Sequence, residues 1–379
     1  MKRRDFLAAS VAALAAPALG WAQAPDRRLL VLIELKGGND GLNTVVPYAD
    51  PAYAALRPRL AIPRDQVLQL DARSGLHPAL APLVALWQAR ELAVVQGVGY
   101  AQPNLSHFRS IEIWDTASRS DQYLPDGWLA RALAERPAPA SFAADGVVVG
   151  GNDMGPLSGT QARTLALADP ERFLRQAKLV NPAGEGRNAA LRHILKVEAD
   201  IVGAASHLGA NVPLRTEFPA GPFGNAIRVA SQLAANPAGV AAIRLSLNGF
   251  DTHQNQPNIH ARLLGELAAG IAALRSALVE TNRWDSTLVM TYAEFGRRPQ
   301  ENGSTGTDHG TAAAHFVFGG RVRGGLYGEV PRLDALEGGN LRYAVDFRSL
   351  YATALRDWWG MDAARTLGAR FETLPLLRA

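Results

Sequence analysis

Two short segments decide how this chain is read: Asn248-Gly249-Phe250-Asp251-Thr252-His253, and Gly306-Thr307-Asp308-His309-Gly310 with His315-Phe316-Val317-Phe318-Gly319-Gly320 after it. Ala242–Leu247 precedes the first as an aliphatic strand. Ser286–Tyr292, rich in β-branched and aliphatic residues, forms another before the second. Between them Ile259, Leu263, Leu264, Leu267, Ile271, Leu274 and Leu278 recur every three to four residues, which predicts one apolar helical face. The order strand, Asp-x-His loop, helix, strand, Asp-His-Gly loop, strand predicts a crossover that brings both acidic loops to one sheet edge. Ligands of a parallel sheet collect at the carboxyl ends of its strands. A set of carboxylate oxygens and imidazole nitrogens there suits Zn, Mn or Fe(II) better than Ca or Mg.

Upstream, Leu29–Leu35 is apolar almost throughout, as in a central parallel strand. It feeds Lys36-Gly37-Gly38-Asn39-Asp40-Gly41-Leu42-Asn43. Asp40 there is either a metal ligand or part of a Gly-Asn-Asp-Gly turn that needs none. Leu80–Gln88 reads as a helix and Glu91–Gln96 as a strand. Gly97–Ser110 follows, with Ser106 just before a helix that runs toward Trp114. The Ser106 hydroxyl is either a helix cap or a nucleophile, since a helix start and a metal both lower its pKa. His107 beside it is a base, a ligand or a polar neighbour. Downstream of the Met290 strand, Arg297 and Arg298 suit an anionic substrate or a negatively charged partner residue, or simply a solvated loop.

The segment from Asn248 to Gly320 resembles the metal-binding half of the alkaline phosphatase superfamily, which includes phosphatases, arylsulfatases, phosphodiesterases and cofactor-independent phosphoglycerate mutases. Asp251, His253, Asp308, His309 and His315 fall in order on that superfamily's metal positions. The spacing departs from it in two places. The first pair is Asp251-x-His253 rather than Asp-x-x-x-His, and the run from Glu294 to Thr307 is longer than usual. The resemblance implies that Asp40, Asp308 and His309 hold one metal beside Ser106, and that Asp251, His253 and His315 hold the other. It implies one or two divalent ions, Zn, Mn, Fe or Ca.

A second resemblance covers nearly the whole chain beyond its N-terminus. Gly37–Asn43, Asn104-Leu105-Ser106-His107-Phe108, Phe250–His253, Asp346-Phe347-Arg348-Ser349-Leu350-Tyr351 and Trp358 look like the bacterial family called domain of unknown function 1501. Members are described as sulfatase-like or phosphatase-like in fold and are often exported.

The N-terminus reads as an address. Lys2-Arg3-Arg4-Asp5-Phe6-Leu7 has the twin-arginine pattern, and Leu7–Leu19 is an Ala-rich run too short to span a bilayer convincingly. Gly20-Trp21-Ala22 offers a cleavage site, with Ala22-Gln23-Ala24 as the alternative. Residues 1–22 are therefore expected to be a signal peptide. Residues 23–379 are expected to form one alkaline phosphatase-like domain, with a helix-rich insertion at about 165–236. There Pro170–Leu179, Gly186–Gly209 and Phe223–Ala235 carry helical spacing. His193 and His207 lack an i, i+4 partner and read as surface or packing residues, and His260 reads as the polar face of its helix. Val345–Trp359 reads as a final helix.

Composition narrows the function classes. Loss of Lys2, Arg3, Arg4 and Asp5 with the leader takes the formal charge from +4 to +2, too little for a nucleic-acid binder. There is no cysteine, which excludes disulfides and thiolate metal sites. No other run is apolar and long enough for a bilayer.

The fold class expected is α/β, a mainly parallel central sheet sandwiched by helices. The function expected is an exported metal-dependent hydrolase of phosphate or sulfate esters. Its catalytic residues are Ser106, His107 and Arg297, its metal ligands Asp40, Asp251, His253, Asp308, His309 and His315. Its partners are a small anionic ester and the twin-arginine export machinery. A binding or assembly protein that kept the fold is the alternative.

Overall fold

Leu29–Lys36 (β1) is buried along its whole length except Lys36, because both of its faces are covered. The computed structural model describes residues 27–168 and 212–378, with Ala177, Leu195, Val202 and Gly203 between them. The expected signal peptide, His193 and His207 lie outside the described residues. So do the stretches read as helices over 170–179 and 186–209, apart from those four residues.

The other strands used below are β2 (Leu92–Gly99), β3 (Ala144–Val149), β4 (Thr164–Leu167), β5 (Val240–Asn248), β6 (Thr287–Tyr292), β7 (Arg297–Glu301), β8 (Thr307–His309), β9 (Ala313–Phe318), β10 (Gly325–Gly328) and β11 (Val345–Asp346). The helices used below are α1 (Gly41–Thr44), α2 (His107–Thr116), α3 (Trp128–Glu135), α4 (Pro222–Ala235), α5 (Gln256–Glu280) and α6 (Phe347–Ala352). Among the described residues, nine strands form the central sheet in the order β10-β2-β9-β6-β1-β5-β3-β4, with β11 beside β2. Its pairings are parallel except those of β9, which runs against both β6 and β2. The sheet is thus mainly parallel, as the sequence predicts.

Alternation along β1 divides the core. Leu29, Val31, Ile33 and Leu35 pack with α4 and α5 through residues such as Ile227, Leu263, Leu267 and Ile271. Leu30 and Leu32 pack on the other face with Trp114 of α2, Trp128 of α3 and Tyr351 of α6. The apolar stripe predicted for α5 is the buried one. Gly270 lets that helix lie against α4, since a Cβ there would stand 2.6 Å from the Phe223 ring.

Four expectations need correction. His260 is not on the polar face of α5. It is buried, with Nε2 2.9 Å from Asn39 Oδ1, because α5 crosses the loop after β1 and that polar loop supplies the partner. The run read as one helix over Leu80–Gln88 is a 3₁₀ turn, Pro78–Leu83, followed by α-helix, because Pro82 lacks the amide an α-helix requires. Val345–Trp359 is not one helix. Asp346 caps α6 by accepting from the Arg348 amide at 2.9 Å, and a π-helical turn over Thr353–Trp358 ends it. Finally, Asp308 and His309 do not sit in a loop directly after a core strand. They belong to β8, which pairs antiparallel with β7 as a hairpin laid over the sheet edge. The stretch expected to be helix-rich at about 165–236 opens on β4 at the sheet's edge and closes with α4 in a helical layer.

Candidate metal centre

Four carboxyl-terminal strand ends and one hairpin meet at a single edge. The chain leaving β1 supplies Gly37–Asp40, that leaving β5 supplies Asp251 and His253, and that leaving β6 supplies Glu294. The chain leaving β2 returns through Leu105 to His107 at the start of α2. The β7–β8 hairpin adds Arg297, Asp308 and His309. The close approach of these segments requires glycine. Gly37 has φ +114°, and a Cβ on it would fall 2.4 Å from the Asp251 amide nitrogen. A Cβ on Gly306 would fall 2.2 Å from the His253 carbonyl carbon, so the hairpin tip rests on the backbone of that histidine.

The ligating atoms of His107, Asp251 and His309 lie within 4.8 Å of one another. His309 Nε2 is 3.2 Å from Asp251 Oδ1, and His107 Nε2 is 3.5 Å from Asp251 Oδ2. His253 adds a fourth donor, its Nε2 standing 3.0 Å from both Asp251 Oδ1 and His309 Nε2. The far side of each ring sets its tautomer. His309 Nδ1 lies 2.8 Å from the Leu105 carbonyl oxygen, and His107 Nδ1 lies 2.9 Å from Glu294 Oε1. Both partners are acceptors, so each Nδ1 carries the proton and each Nε2 presents a lone pair. A ring nitrogen held by a carbonyl or carboxylate while the other faces inward is the arrangement of a metal-ligating histidine.

The charges agree with it. Burial tends to raise the Asp251 pKa, but the hydrogen bond and charge of Arg297 outweigh it and hold the carboxyl below its ordinary range. Burial, with Arg297 nearby, lowers the pKa of His309 and keeps it neutral. An ionised carboxylate and neutral imidazoles are the forms a cation takes. The His107 and His309 Nε2 lone pairs both face the Asp251 carboxylate, and a divalent ion placed among them would relieve that repulsion. The donor set therefore fits a transition metal such as Zn.

Arg297 is buried, and its donors are committed to the protein. It donates to the carbonyls of Gly37, Gly38, Phe250 and Thr307 and, at 2.6 Å, to Asp251 Oδ1. It therefore ties the ends of β1 and β5 to the hairpin and aims Asp251. Asp40 is fully buried apart from the cluster. Arg57 Nη1 donates to its Oδ2 at 2.6 Å, Gln256 donates to the same oxygen, and the Leu42 and Asn43 amides donate to Oδ1. It caps α1, the turn reading left open by the sequence. His315 is buried in β9, 5.3 Å from Trp114 between ring centroids, and burial takes its pKa down to about 3. Asp308 is exposed, 3.6 Å from His253 Nδ1. Ser106 is exposed at the start of α2, and its hydroxyl does not cap that helix. The structure thus brings His107, Asp251, His253 and His309 together, with Asp308 behind His253 and Ser106 adjoining His107. It leaves Asp40 and His315 outside.

Sequence reading passed over Glu294, the Leu105 carbonyl and Arg57. Glu294 had one available signal, an acid two residues beyond a buried strand. It is 2% exposed, and its Oε1 accepts from the Gly37 amide at 2.9 Å while facing His107. Glu294→Gln should keep the fold; with its amide oxygen on the Gly37 amide it presents His107 with a poorer, uncharged acceptor. A lost orienting partner lowers metal affinity by about 10–100-fold. Zn titration of the variant against a competing chelator checks this, and an unchanged affinity would remove Glu294 from the centre.

Residues 92–371 match the family described as "Protein of unknown function (DUF1501)". This chain belongs to that family. No curated protein matches it. Among solved structures, this DUF1501 chain is similar to the C-terminal periplasmic domain of EcEptC from Escherichia coli, in complex with Zn. Identity is 11% and the TM-score 0.41, over 78% of this chain and 73% of that one. It is also similar to a protein in the alkaline phosphatase superfamily from Vibrio parahaemolyticus, at 9% identity and TM-score 0.39, over 81% and 64%. Alkaline phosphatase from the Antarctic bacterium TAB5 shares 10% identity at TM-score 0.33, over 78% and 92%. Among the described residues of this chain, no helix is long and apolar enough to cross a membrane.

Proposed function

We propose that this protein is an exported, metal-dependent hydrolase of phosphate or sulfate esters. The supporting observation is the convergence of the His107 and His309 Nε2 lone pairs on ionised Asp251, each ring fixed from behind by an acceptor. His107, Asp251 and His309 hold the ion in this reading, and His253 supplies the fourth nitrogen. A divalent ion there polarises an ester oxygen and lowers the pKa of a nearby hydroxyl. The chain's own residues do the rest. Ser106, exposed and free of a capping bond, would give up its hydroxyl proton to solvent and attack phosphorus or sulfur. The bond to the ester oxygen breaks, and the alcohol leaves with a proton from water. A second water then cleaves the serine ester to release phosphate or sulfate and restore the hydroxyl. Ser106 is the residue before the first turn of the ten-residue α2, at the positive end of its dipole. Arg297 acts by orienting Asp251 rather than by binding substrate, since its donors are already engaged.

Ser106→Ala tests the assignment. Turnover of 4-nitrophenyl phosphate or 4-nitrophenyl sulfate should vanish while bound metal is retained. Loss of a capping serine would cost about 1 kcal/mol, and here the stability should hold because Ser106 makes no cap. Retained turnover rules out the nucleophile. A wild type that cleaves neither ester when supplied with Zn, Mn, Fe or Ca leaves the exported binding protein as the reading. Export belongs to the proposal too: Arg3→Lys with Arg4→Lys should hold the precursor in the cytoplasm, and an unchanged periplasmic yield would refute that route.

A further inference from the structure

A cavity of about 590 Å³ opens beside the centre, between Tyr100–Pro103 and a segment that includes Glu337, Asn340, Arg342 and Tyr343. Small-molecule sites span roughly 300–1,000 Å³. Its walls continue directly into the metal centre. Thr311, which lines it, is two residues from His309, so their Cα atoms lie within about 7.6 Å. Pro103 leads through Asn104 and Leu105, whose carbonyl orients His309, to Ser106 and His107. A molecule in the cavity therefore rests on two segments that lead, one to Ser106 and His107 and the other to His309.

We propose that this cavity receives a neutral, hydroxyl-rich group, a sugar or similar polyol, as the alcohol half of the ester. Naming it part of the substrate rests on the hydrolase reading, whereas the binding does not. The wall chemistry selects this class. Its two charged side chains oppose each other, Arg342 Nε standing 3.8 Å from Glu337 Oε2. A second anionic group would meet the Glu337 carboxylate, and a bare acyl chain would take Glu337, Arg342 and Gln102 out of water with only the 3.8 Å Glu337–Arg342 pair in exchange. Hydroxyl groups satisfy all three, because they donate to carboxylate and amide oxygens and accept from guanidinium and amide nitrogens. Asn340 Oδ1 lies just under the wall with no hydrogen-bond partner, its amide nitrogen held by a long 3.3 Å bond to the Gly338 carbonyl. A side-chain rotation offers that acceptor to a hydroxyl. The flat surface comes from Tyr343, whose ring is 43% exposed at the cavity and can stack on the C–H face of a pyranose. The polar wall is preorganised. Glu337 and Asn340 exchange both backbone hydrogen bonds, at 2.9 and 3.0 Å, around a turn in which Gly338 and Gly339 take positive φ.

Saturation-transfer NMR and calorimetry on the full-length protein, with maltose, cellobiose and lactose as probes, test the proposal. At least one disaccharide should bind the wild type saturably in the millimolar range. Tyr343→Ala and Arg342→Ala, both on the exposed wall, should each weaken it ten-fold or more, while inorganic phosphate should not compete from the cavity. The His309→Ala protein should bind the same sugar as the wild type does, which separates the two readings. Sugar binding by a protein that cleaves no ester supports the cavity and sinks the hydrolase. An active esterase that binds none of the three disaccharides, or binds one indifferently to both wall variants, overturns the cavity.

Discussion

His309→Ala should empty the centre and end turnover. The side chain is one of three whose ligating atoms lie within 4.8 Å of one another, and it also links the hairpin to the Leu105 carbonyl ahead of Ser106. Loss of a residue that merely orients a ligand costs about 10–100-fold in metal affinity, so loss of the donor itself should exceed that. Zn measured after dialysis should fall from near-stoichiometric to a trace, with 4-nitrophenyl ester hydrolysis falling in parallel. The fold should survive, because His309 is partly exposed on a short hairpin and fills no core position. Circular dichroism of metal-free wild type and variant should then coincide. Wild-type metal content in both His309→Ala and His107→Ala would place the ion elsewhere or nowhere.

Arg57→Met should be the most destabilising single change near the centre, by about 3–5 kcal/mol, the cost of breaking a buried ion pair from one side. Arg57 and Asp40 are both fully buried and 2.6 Å apart. The same guanidinium donates to Asn43 Oδ1 at 2.7 Å, the Pro299 carbonyl at 2.7 Å and the Arg298 carbonyl at 3.0 Å. Methionine fills the space and strands those acceptors. Acid should discriminate this from a packing defect. Burial raises the Asp40 pKa, but the charge and hydrogen bond of Arg57 outweigh it, so the folded value lies below the ordinary one. The wild type therefore gains stability from this pair above the ordinary aspartate pKa and loses it as pH falls through the folded value. In Arg57→Met burial is opposed by no ion-pair partner and only by the Gln256, Leu42 and Asn43 donors, so the protonated form is favoured relative to the wild type. The gap between the two proteins in urea unfolding should narrow as pH drops, and Asp40→Leu added to the variant should recover part of the loss. A gap independent of pH would mean that the pair's charge contributes nothing.

The sheet was legible because its signals are periodic. β1, β5, β6 and the apolar stripe of α5 each repeat at the spacing of their own geometry, so burial could be read from composition alone. Asp251, His253 and His309 were legible for a related reason, since each lies just past an apolar strand or in a glycine-bounded turn. What escaped depended on long-range pairing. Nothing near Asp40 announces Arg57, which lies beyond the helix Pro51–Leu56, or Gln256, whose amide arrives from α5. His260 was misjudged because its partner, Asn39, lies 221 residues away along the chain. The hairpin was missed because Arg297–Glu301 carries charges and a proline rather than an alternating apolar pattern. Its pairing is sustained by Arg297 reaching five partners across the sheet edge.

The position of β1 has a consequence for synthesis. It is the first strand described in the chain and stands between β5 and β6, its only neighbours in the sheet. The nearer of those, β5, is encoded about 200 residues later and β6 later still, so at roughly 5–20 residues per second β1 waits on the order of 10–40 s for its first strand to pair with. During that interval Leu29-Leu30-Val31-Leu32-Ile33-Glu34-Leu35 is an apolar segment with open hydrogen-bonding edges, the kind that joins its like in other chains. Glu34 is the single charge among those seven residues, and in the finished protein it is neutralised by Arg244, which arrives with β5 itself. Until then Glu34 inside the run, with Arg27, Arg28 and Lys36 at its ends, guards it against self-association, so the yield of folded protein should depend on how well the nascent chain is sheltered until residue 248 has emerged.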